Sequence, residues 1–300
     1  MISGASQLYG IIGQPVKHSL SPVFQNQFII DAGIDAAYLP FDLPVDKVHS
    51  VMESFLHLNN VQGLNVTIPF KEQIVPWVKC DAAAQSIGAV NTVKRVYNEI
   101  TNAYEWHATN TDWKGVVASL TALHLTSEPT SVLLFGAGGT SKAILYALAS
   151  LGNIVQVFVC NRNFQRAEAL VLDASLYARQ MAPGMQIQAI AWDQDLLDQE
   201  AAEASVWINA TAIGLHEGDP FPFVPRVAVS GLDMVYRPDG NSAFCKALRL
   251  QQSVAIDGLL MLLAQGAASF AYWHNASPAF DIEYYLAWMQ KMLHRSADDQ

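Results

Sequence analysis

The sequence predicts an α/β protein built in two parts, and three observations support this. Short β-rich runs alternate with amphipathic stretches over almost all of the 300 residues, which is the rhythm of a mainly parallel sheet. A buried strand, a glycine-rich turn and a helix begin near residue 130 rather than at residue 1, leaving about 110 N-terminal residues for a second compact part. Apolar residues make up 51% of the chain and charged residues only 15%, which is ample material for buried cores.

Strands are predicted at Leu8–Gly13, Ala36–Leu43, Val61–Ile68, Ala89–Val96 and Tyr104–Ala108, where β-branched and aromatic residues cluster between turn residues. Helices are predicted between them near Pro22–Ala32, Val45–Leu58, Phe70–Val78 and Asp81–Ile87. In the third strand Leu64, Val66 and Ile68 fall on one face and Asn65 and Thr67 on the other, and Pro69 ends the run. A helix from Trp113 to about His124 is followed by the break Thr126-Ser127-Glu128-Pro129. The strand Val132–Phe135 then opens the glycine unit, which continues through a helix to a second strand ending at Val159-Cys160. Further strands are predicted at Met185–Trp192, Val206–Ala210, Gly231–Met234 and Ser253–Ile256, with helices at Gly258–Trp273 and roughly Pro278–His294. The final Ser-Ala-Asp-Asp-Gln reads as a frayed tail.

Composition excludes several roles. A net charge of −10 with 17 dispersed Lys and Arg argues against nucleic acid or an anionic membrane surface as the partner. Cys80, Cys160 and Cys245 are odd in number and lack C-x-x-C spacing, as expected of core thiols in a reducing compartment. The N-terminus lacks the basic and long apolar regions of a signal peptide. The helix from Gly258 is too short and too interrupted by Gln265 to span a bilayer. The expected location is the cytoplasm. No His pair has metal-ligand spacing, so no metal is predicted.

Gly136, Gly138 and Gly139 follow a buried strand and open a helix, the context a dinucleotide fingerprint requires. Free N–H groups and the positive end of the helix dipole would face a pyrophosphate, and missing side chains would let it approach the backbone. Ser141 stands where the third glycine of the strict pattern is expected. An NAD enzyme ends its second strand with an acid for the ribose 2′-hydroxyl; this chain has Asn161 and Arg162, with Arg166 one helical turn later. An acid would repel a 2′-phosphate and two guanidiniums attract it, so the expected cofactor is NADP(H). Lys142 is a third cation near the turn. The N-terminal part is then expected to hold the substrate.

Several polar residues stand where apolar ones are expected. If the segment after the first strand is extended, Ser19 and Ser21 point the same way and suit one carboxylate or diol; alternatively Ser21 is a helix N-cap with Pro22 first in the helix. Lys71 opens a helix at the carboxyl edge of a strand, where open α/β sheets place ligands. Asp112 is either a helix cap or a buried carboxylate, and Asn91 needs hydrogen-bond partners if buried. Gly258, Met261 and Gln265 share one helix face, and Gln265 suits either a satisfied core amide or a grip on a substrate hydroxyl. Met234, Tyr236 and the run Asn209 to Gly214 lie at strand ends, where packing alone also explains them.

Taken together and in order, GQPVKHSLSP, NVTIPFK, GAVNT, NTD, GAGGTSKA, NRNFQR, INATAIG, LDMVYRP and DGLLMLLAQ resemble shikimate dehydrogenase over roughly residues 8–273. The resemblance implies an open α/β substrate domain, residues 1–111 completed by the C-terminal helices of 258–300, and a Rossmann-type NADP-binding domain over 112–257. It implies reversible NADPH-dependent reduction of 3-dehydroshikimate, with Lys71 and Asp112 as the catalytic pair. Ser19 and Ser21 would bind the substrate carboxylate, Thr67, Asn91, Asp112 and Gln265 its hydroxyls, with Tyr236 nearby. Gly136, Ala137, Gly138, Gly139, Thr140, Asn161, Arg162, Asn163, Arg166 and Thr211 would bind NADP, with Met234 and Gly258 near the nicotinamide. Ala108, Asn163 and Leu260 depart from the family's usual residues without removing a reacting group. A quinate/shikimate paralogue and a non-catalytic NADP(H)-binding sensor are the competing readings, and the expected assembly is a monomer or homodimer.

Overall fold

The computed structural model describes residues 2–216, 218–275 and 280–295. The expected start of the last helix at Pro278, the expected linker residues Ala276 and Ser277, and the expected tail lie outside them. The chain divides into two compact units: Met1–Asp112 with Leu263–Tyr285, and Trp113–Leu262 with Leu286–Gln300.

In the first unit, β1 (Gln7–Gly13), β2 (Ala36–Asp42), β3 (Val61–Val66), β4 (Lys79–Cys80), β5 (Thr92–Asn98) and β6 (Ala103–Thr109) form one sheet in the order β2-β1-β3-β5-β6-β4. The strands are parallel except β5, which runs antiparallel to both β3 and β6. The reversal follows from sequence: only four residues separate β5 from β6, enough for a hairpin and too few for a crossover. It brings the start of β5 beside the carboxyl ends of its neighbours, with Asn65 opposite Thr92 and Thr92 opposite Thr109. Asn91 therefore precedes the strand instead of interrupting it.

Helices α1 (Ser21–Asp31), α2 (Val48–Leu56), α3 (Phe70–Gln73) and α4 (Ala82–Ile87) occupy the connections. The expected helices Val45–Leu58 and Phe70–Val78 each divide into a short α-helix and a 3-10 turn. The third strand stops at Val66, two residues short of the expected Ile68, which is 68% exposed. Leu64 and Val66 do bury their face, packing with Ile12, Phe70, Val93 and Trp106.

The second unit starts with α5 (Asp112–Ala122), cut by the boundary after its first residue. It contains β7 (Thr130–Phe135), α6 (Gly139–Leu151), β8 (Ile154–Cys160), α7 (Phe164–Met181), β9 (Gln186–Ile190), α8 (Gln194–Glu200), β10 (Val206–Asn209), β11 (Ser230–Asp233), α9 (Ala243–Arg249) and β12 (Val254–Ile256). All six strands are parallel in the order β12-β11-β10-β7-β8-β9, the doubly wound Rossmann-type arrangement whose direction reverses between β7 and β10. Two apolar clusters cover the sheet, one centred on α5, α6 and α7 and the other rich in Phe and Trp. Cys160 and Cys245 belong to the second cluster, where burial pushes both thiols up to about 12. Among the described residues no helix is long and apolar enough to cross a membrane.

Helix α10 (Leu259–His274) starts in the second unit and continues into the first, and α11 (Ile282–Met292) passes back at Leu286. The expected allotment of residues 258–300 to the first unit therefore differs from the observed division. Arg295 accounts for the difference at the C-terminal end. Its guanidinium pairs with both oxygens of Asp257 (Nη2–Oδ2 2.7 Å, Nη1–Oδ1 3.2 Å) and donates to the carbonyls of Arg237 and Pro238, all within the second unit.

Candidate active site

In the first unit Lys71, Asn91 and Asp112 meet. Lys71 Nζ lies 2.6 Å from Asp112 Oδ2, and Asn91 Nδ2 lies 2.8 Å from Asp112 Oδ1, so both carboxylate oxygens are engaged. The Lys71 side chain retains 17% exposure and that of Asp112 only 5%. Backbone pairing fixes the lysine, because the Val90 amide donates to the Lys71 carbonyl at 2.8 Å and the following residue is Asn91. Asp112 is not the helix cap: its amide donates to Asn110 Oδ1 at 3.0 Å, and Asn110 in turn donates to the Ala89 carbonyl. With that role taken by Asn110, the Asp112 carboxylate is left to the lysine.

Asn91 Nδ2 has three acceptors for its two hydrogens, since Thr111 Oγ1 at 2.9 Å and Gln265 Oε1 at 3.2 Å compete with Asp112. Its Oδ1 accepts from the Thr111 amide and from Thr92 Oγ1. Asn65 donates to Thr92 Oγ1 and Ser269 Oγ and accepts from the Tyr38 hydroxyl, which also hydrogen-bonds with Ser21. This network links Ser21 to Lys71 through buried polar groups, each of which would be costly to leave unpaired. Ser21, Asn91, Asp112 and Gln265 all belong to it.

Two sequence arguments fail locally. Residues 15–20 form turns, with the Ser19 amide donating to the Val16 carbonyl, so Ser19 and Ser21 do not alternate on an extended strand. Ser21 is the first helical residue rather than the cap, and its amide donates to Ser19 Oγ at 3.2 Å. Thr67 lies just past β3, its amide donating to the Ile12 carbonyl. Tyr236 belongs to the second unit. Tyr38, Thr92, Thr111 and Ser269 were not singled out; Ser269 is one helical turn beyond Gln265, a spacing that could have found it.

The second unit carries a cavity of about 420 Å³ at the point where the strand order reverses. Gly136, Ala137 and Gly138, Asn161, Arg162 and Arg166, and Ala210 and Thr211 line it, together with Ala212 and Ile213 of the run Asn209 to Gly214 and with Trp192, His216 and Asp219, which sequence reasoning did not select. Gly136 has φ +109°, and a Cβ there would lie 3.0 Å from the Ala210 backbone. A Cβ at Gly138 would meet nothing within 4 Å, so the space over the start of α6 is open. Ser141, in place of the third glycine, is fully buried and its hydroxyl accepts the Gly138 amide at 3.3 Å. An open helix start beside two guanidiniums fits a dinucleotide with an additional phosphate.

Gly139, Thr140, Asn163, Met234, Gly258 and Lys142 are not among the lining residues. Asn163 caps α7, its side chain accepting the Arg166 amide at 3.0 Å, so it orients the helix that carries Arg166. Met234 and Gly258 do meet each other: a Cβ on Gly258 would stand 2.5 Å from the Met234 carbonyl oxygen.

Asp233, at the end of β11, is fully buried; Oδ1 accepts from Asn209 Nδ2 at 2.8 Å and the Val235 amide at 3.0 Å, and the Ser242 side chain also hydrogen-bonds to the carboxyl. Burial pushes its carboxyl up to about 7 from 3.8, against those hydrogen bonds. Because the folded value exceeds the unfolded one, the native state binds the extra proton between pH 3.8 and 7, and stability falls as pH rises through that window. The penalty is on the order of 4 kcal/mol when complete. In Asp233→Asn, an isostere of the neutral acid, this fall is expected to disappear, as urea midpoints measured from pH 4 to 8 would show.

The family model for the shikimate dehydrogenase substrate binding domain matches residues 11–93, within the first unit. Shikimate dehydrogenase (NADP(+)) of Aquifex aeolicus is 36% identical over 287 residues, covering 94% of this chain and 96% of the relative. The crystal structure of shikimate dehydrogenase from Aquifex aeolicus superposes with a TM-score of 0.78 at 34% identity, covering 96% of this chain and 99% of that one. Shikimate 5-dehydrogenase of Thermus thermophilus, solved in complex with NADP(H) and shikimate, gives a TM-score of 0.77 at 27% identity, covering 96% and 98%. Identity above 30% along nearly the entire length shows that the chain belongs to the shikimate dehydrogenase family.

Proposed function

We infer that the protein is an NADP-dependent oxidoreductase acting on a CH–OH group, a shikimate dehydrogenase that reversibly reduces 3-dehydroshikimate to shikimate on the route to chorismate and the aromatic amino acids. The observation that carries this reading is the 2.6 Å contact between Lys71 and Asp112, whose second oxygen is held by Asn91. Bound NADPH supplies the hydride. Lys71 donates a proton to the carbonyl oxygen that becomes the C3 hydroxyl, and its charge stabilises the alkoxide as it develops. Asp112 holds the ammonium in place, and Asn91 prevents the carboxylate from turning away. In the oxidising direction the same lysine takes the proton back.

We assign the first unit to the substrate, with Ser19 and Ser21 for its carboxylate and Thr67, Asn91, Asp112 and Gln265 for its hydroxyls. We assign the second unit to NADP(H), held by residues 136–140 and by Asn161, Arg162, Asn163, Arg166 and Thr211, with Met234 and Gly258 at the nicotinamide. Replacing both Arg162 and Arg166 by alanine is expected to raise the KM for NADPH far more than that for NADH, and an unchanged ratio would contradict the phosphate role. A cytoplasmic monomer or homodimer fits the acidic composition and the three free cysteines.

The deciding assay follows NADP(+) reduction at 340 nm, with shikimate and quinate supplied separately and NAD(+) as the alternative acceptor. Turnover of shikimate with NADP(+) supports the assignment. Turnover of quinate alone would make the protein a quinate-specific relative, and cofactor binding without turnover of either would make it an NADP(H)-binding sensor.

A further inference from the structure

Trp192 lies two residues past the end of β9, at the carboxyl edge of the sheet, on the wall of the cavity that also holds Arg162 and Arg166. Its indole is backed by Phe223, with ring centroids 4.7 Å apart at 68°, and by Phe135 at 6.1 Å and 83°. Both phenyl rings are buried, so the indole has a fixed support on one side and the cavity on the other. The Arg162 guanidinium carbon stands 5.4 Å from the indole centroid, within the range of a cation–π contact. An exposed arginine ordinarily samples many rotamers and loses that freedom when it grips an anion. Arg162 is exposed, yet it has beside it a flat ring packed against Phe223 and Phe135.

We propose that Trp192 is a positioning residue for cofactor specificity: it holds the Arg162 guanidinium where a ribose 2′-phosphate binds, and so strengthens NADP(H) over NAD(H). The inference rests on the NADP(H) assignment of this cavity. The reasoning turns on what the two cofactors share. NADH carries no 2′-phosphate, so a pre-positioned Arg162 gives it little, and removing the support should act on one cofactor and spare the other.

Dissociation constants measured by titration calorimetry, without substrate and without turnover, provide the test. In Trp192→Leu, which keeps apolar contact with Phe223, the Kd for NADPH is expected to rise about two- to fivefold, the equivalent of an exposed cation–π contact. The Kd for NADH should stay within experimental error, and Trp192→Phe should restore most of the NADPH affinity. In an Arg162→Ala background the Trp192→Leu change should have no further effect on NADPH binding, because the group it positions is gone. Equal losses for both cofactors, or no loss for either, would overturn the proposal; thermal midpoints of each variant show whether an equal loss is simply damage to the fold. If the Arg162→Ala, Arg166→Ala protein keeps the wild-type preference between NADPH and NADH, the cavity's NADP(H) assignment fails as well. If that variant loses the preference and Trp192→Leu does not, only the role of the indole is wrong.

Discussion

Replacing Lys71 by methionine is expected to lower kcat for 3-dehydroshikimate reduction by 10² to 10⁴, the usual range for losing a positioned general acid, while the Kd for NADPH stays at its wild-type value. Methionine preserves the length of the side chain without its charge, so the cavity effects of a shorter residue are avoided. Two consequences should separate. The chemical step loses its proton donor and the charge that balances the alkoxide. The fold loses the partner of a carboxylate that is 5% exposed and, among the described residues, keeps Asn91 on its other oxygen, so a drop in thermal midpoint should accompany the loss of rate. A double variant, Lys71→Met with Asp112→Asn, should recover much of the stability and none of the rate, because it removes the stranded charge without restoring an acid. Steady-state kinetics and urea denaturation of both proteins measure this, and wild-type turnover by Lys71→Met would end the assignment of Lys71.

The largest purely structural effect is expected at Arg295. Both members of the Arg295–Asp257 pair are under a tenth exposed, and Asp257 additionally accepts from the amides of Arg237 and Leu259. Arg295→Leu would leave that carboxylate buried without its cation and is expected to cost about 3–5 kcal/mol in urea denaturation. Asp257→Asn added to Arg295→Leu should return part of that cost, since the net value of a buried pair is far smaller than the penalty of breaking it. An effect below about 1 kcal/mol for the single variant would mean that Asp257 is solvated in the absence of Arg295.

The doubly wound half of the molecule was legible because its signals are local. Val132–Phe135, the glycines and the helix behind them lie within about twenty residues of sequence, and the arginines that face the same cavity follow the next strand. Apart from the family resemblance, Asn91 stands out in the sequence as an anomaly, a polar residue in an apolar run. Its meaning depended on the reversal of β5, which puts a strand beginning beside two strand endings. The serine argument failed because it assumed an extended segment where the chain turns. The local sequence leaves Asp112 as either a cap or a buried carboxylate, and the Asn110 contact shows why it is free for Lys71. Trp192 passed as a strand residue, since nothing in its neighbours announces that Arg162 rests on it. For Asn91 and Asn65 what sequence conceals is a partner far away in the chain: Gln265 meets Asn91 across 174 positions and Ser269 meets Asn65 across 204.

The passage of the polypeptide between its two units at residues 112, 262 and 285 limits how such a protein can be divided. A fragment ending at Asp112 would lack Gln265, Ser269 and Trp273, whose indole N–H donates to the Val93 carbonyl inside the first sheet. Neither half is a contiguous cassette, so a single recombination junction cannot transplant one half intact into another gene. Exchange of cofactor preference between relatives must then proceed by point changes around the glycine turn, or by grafts with paired boundaries.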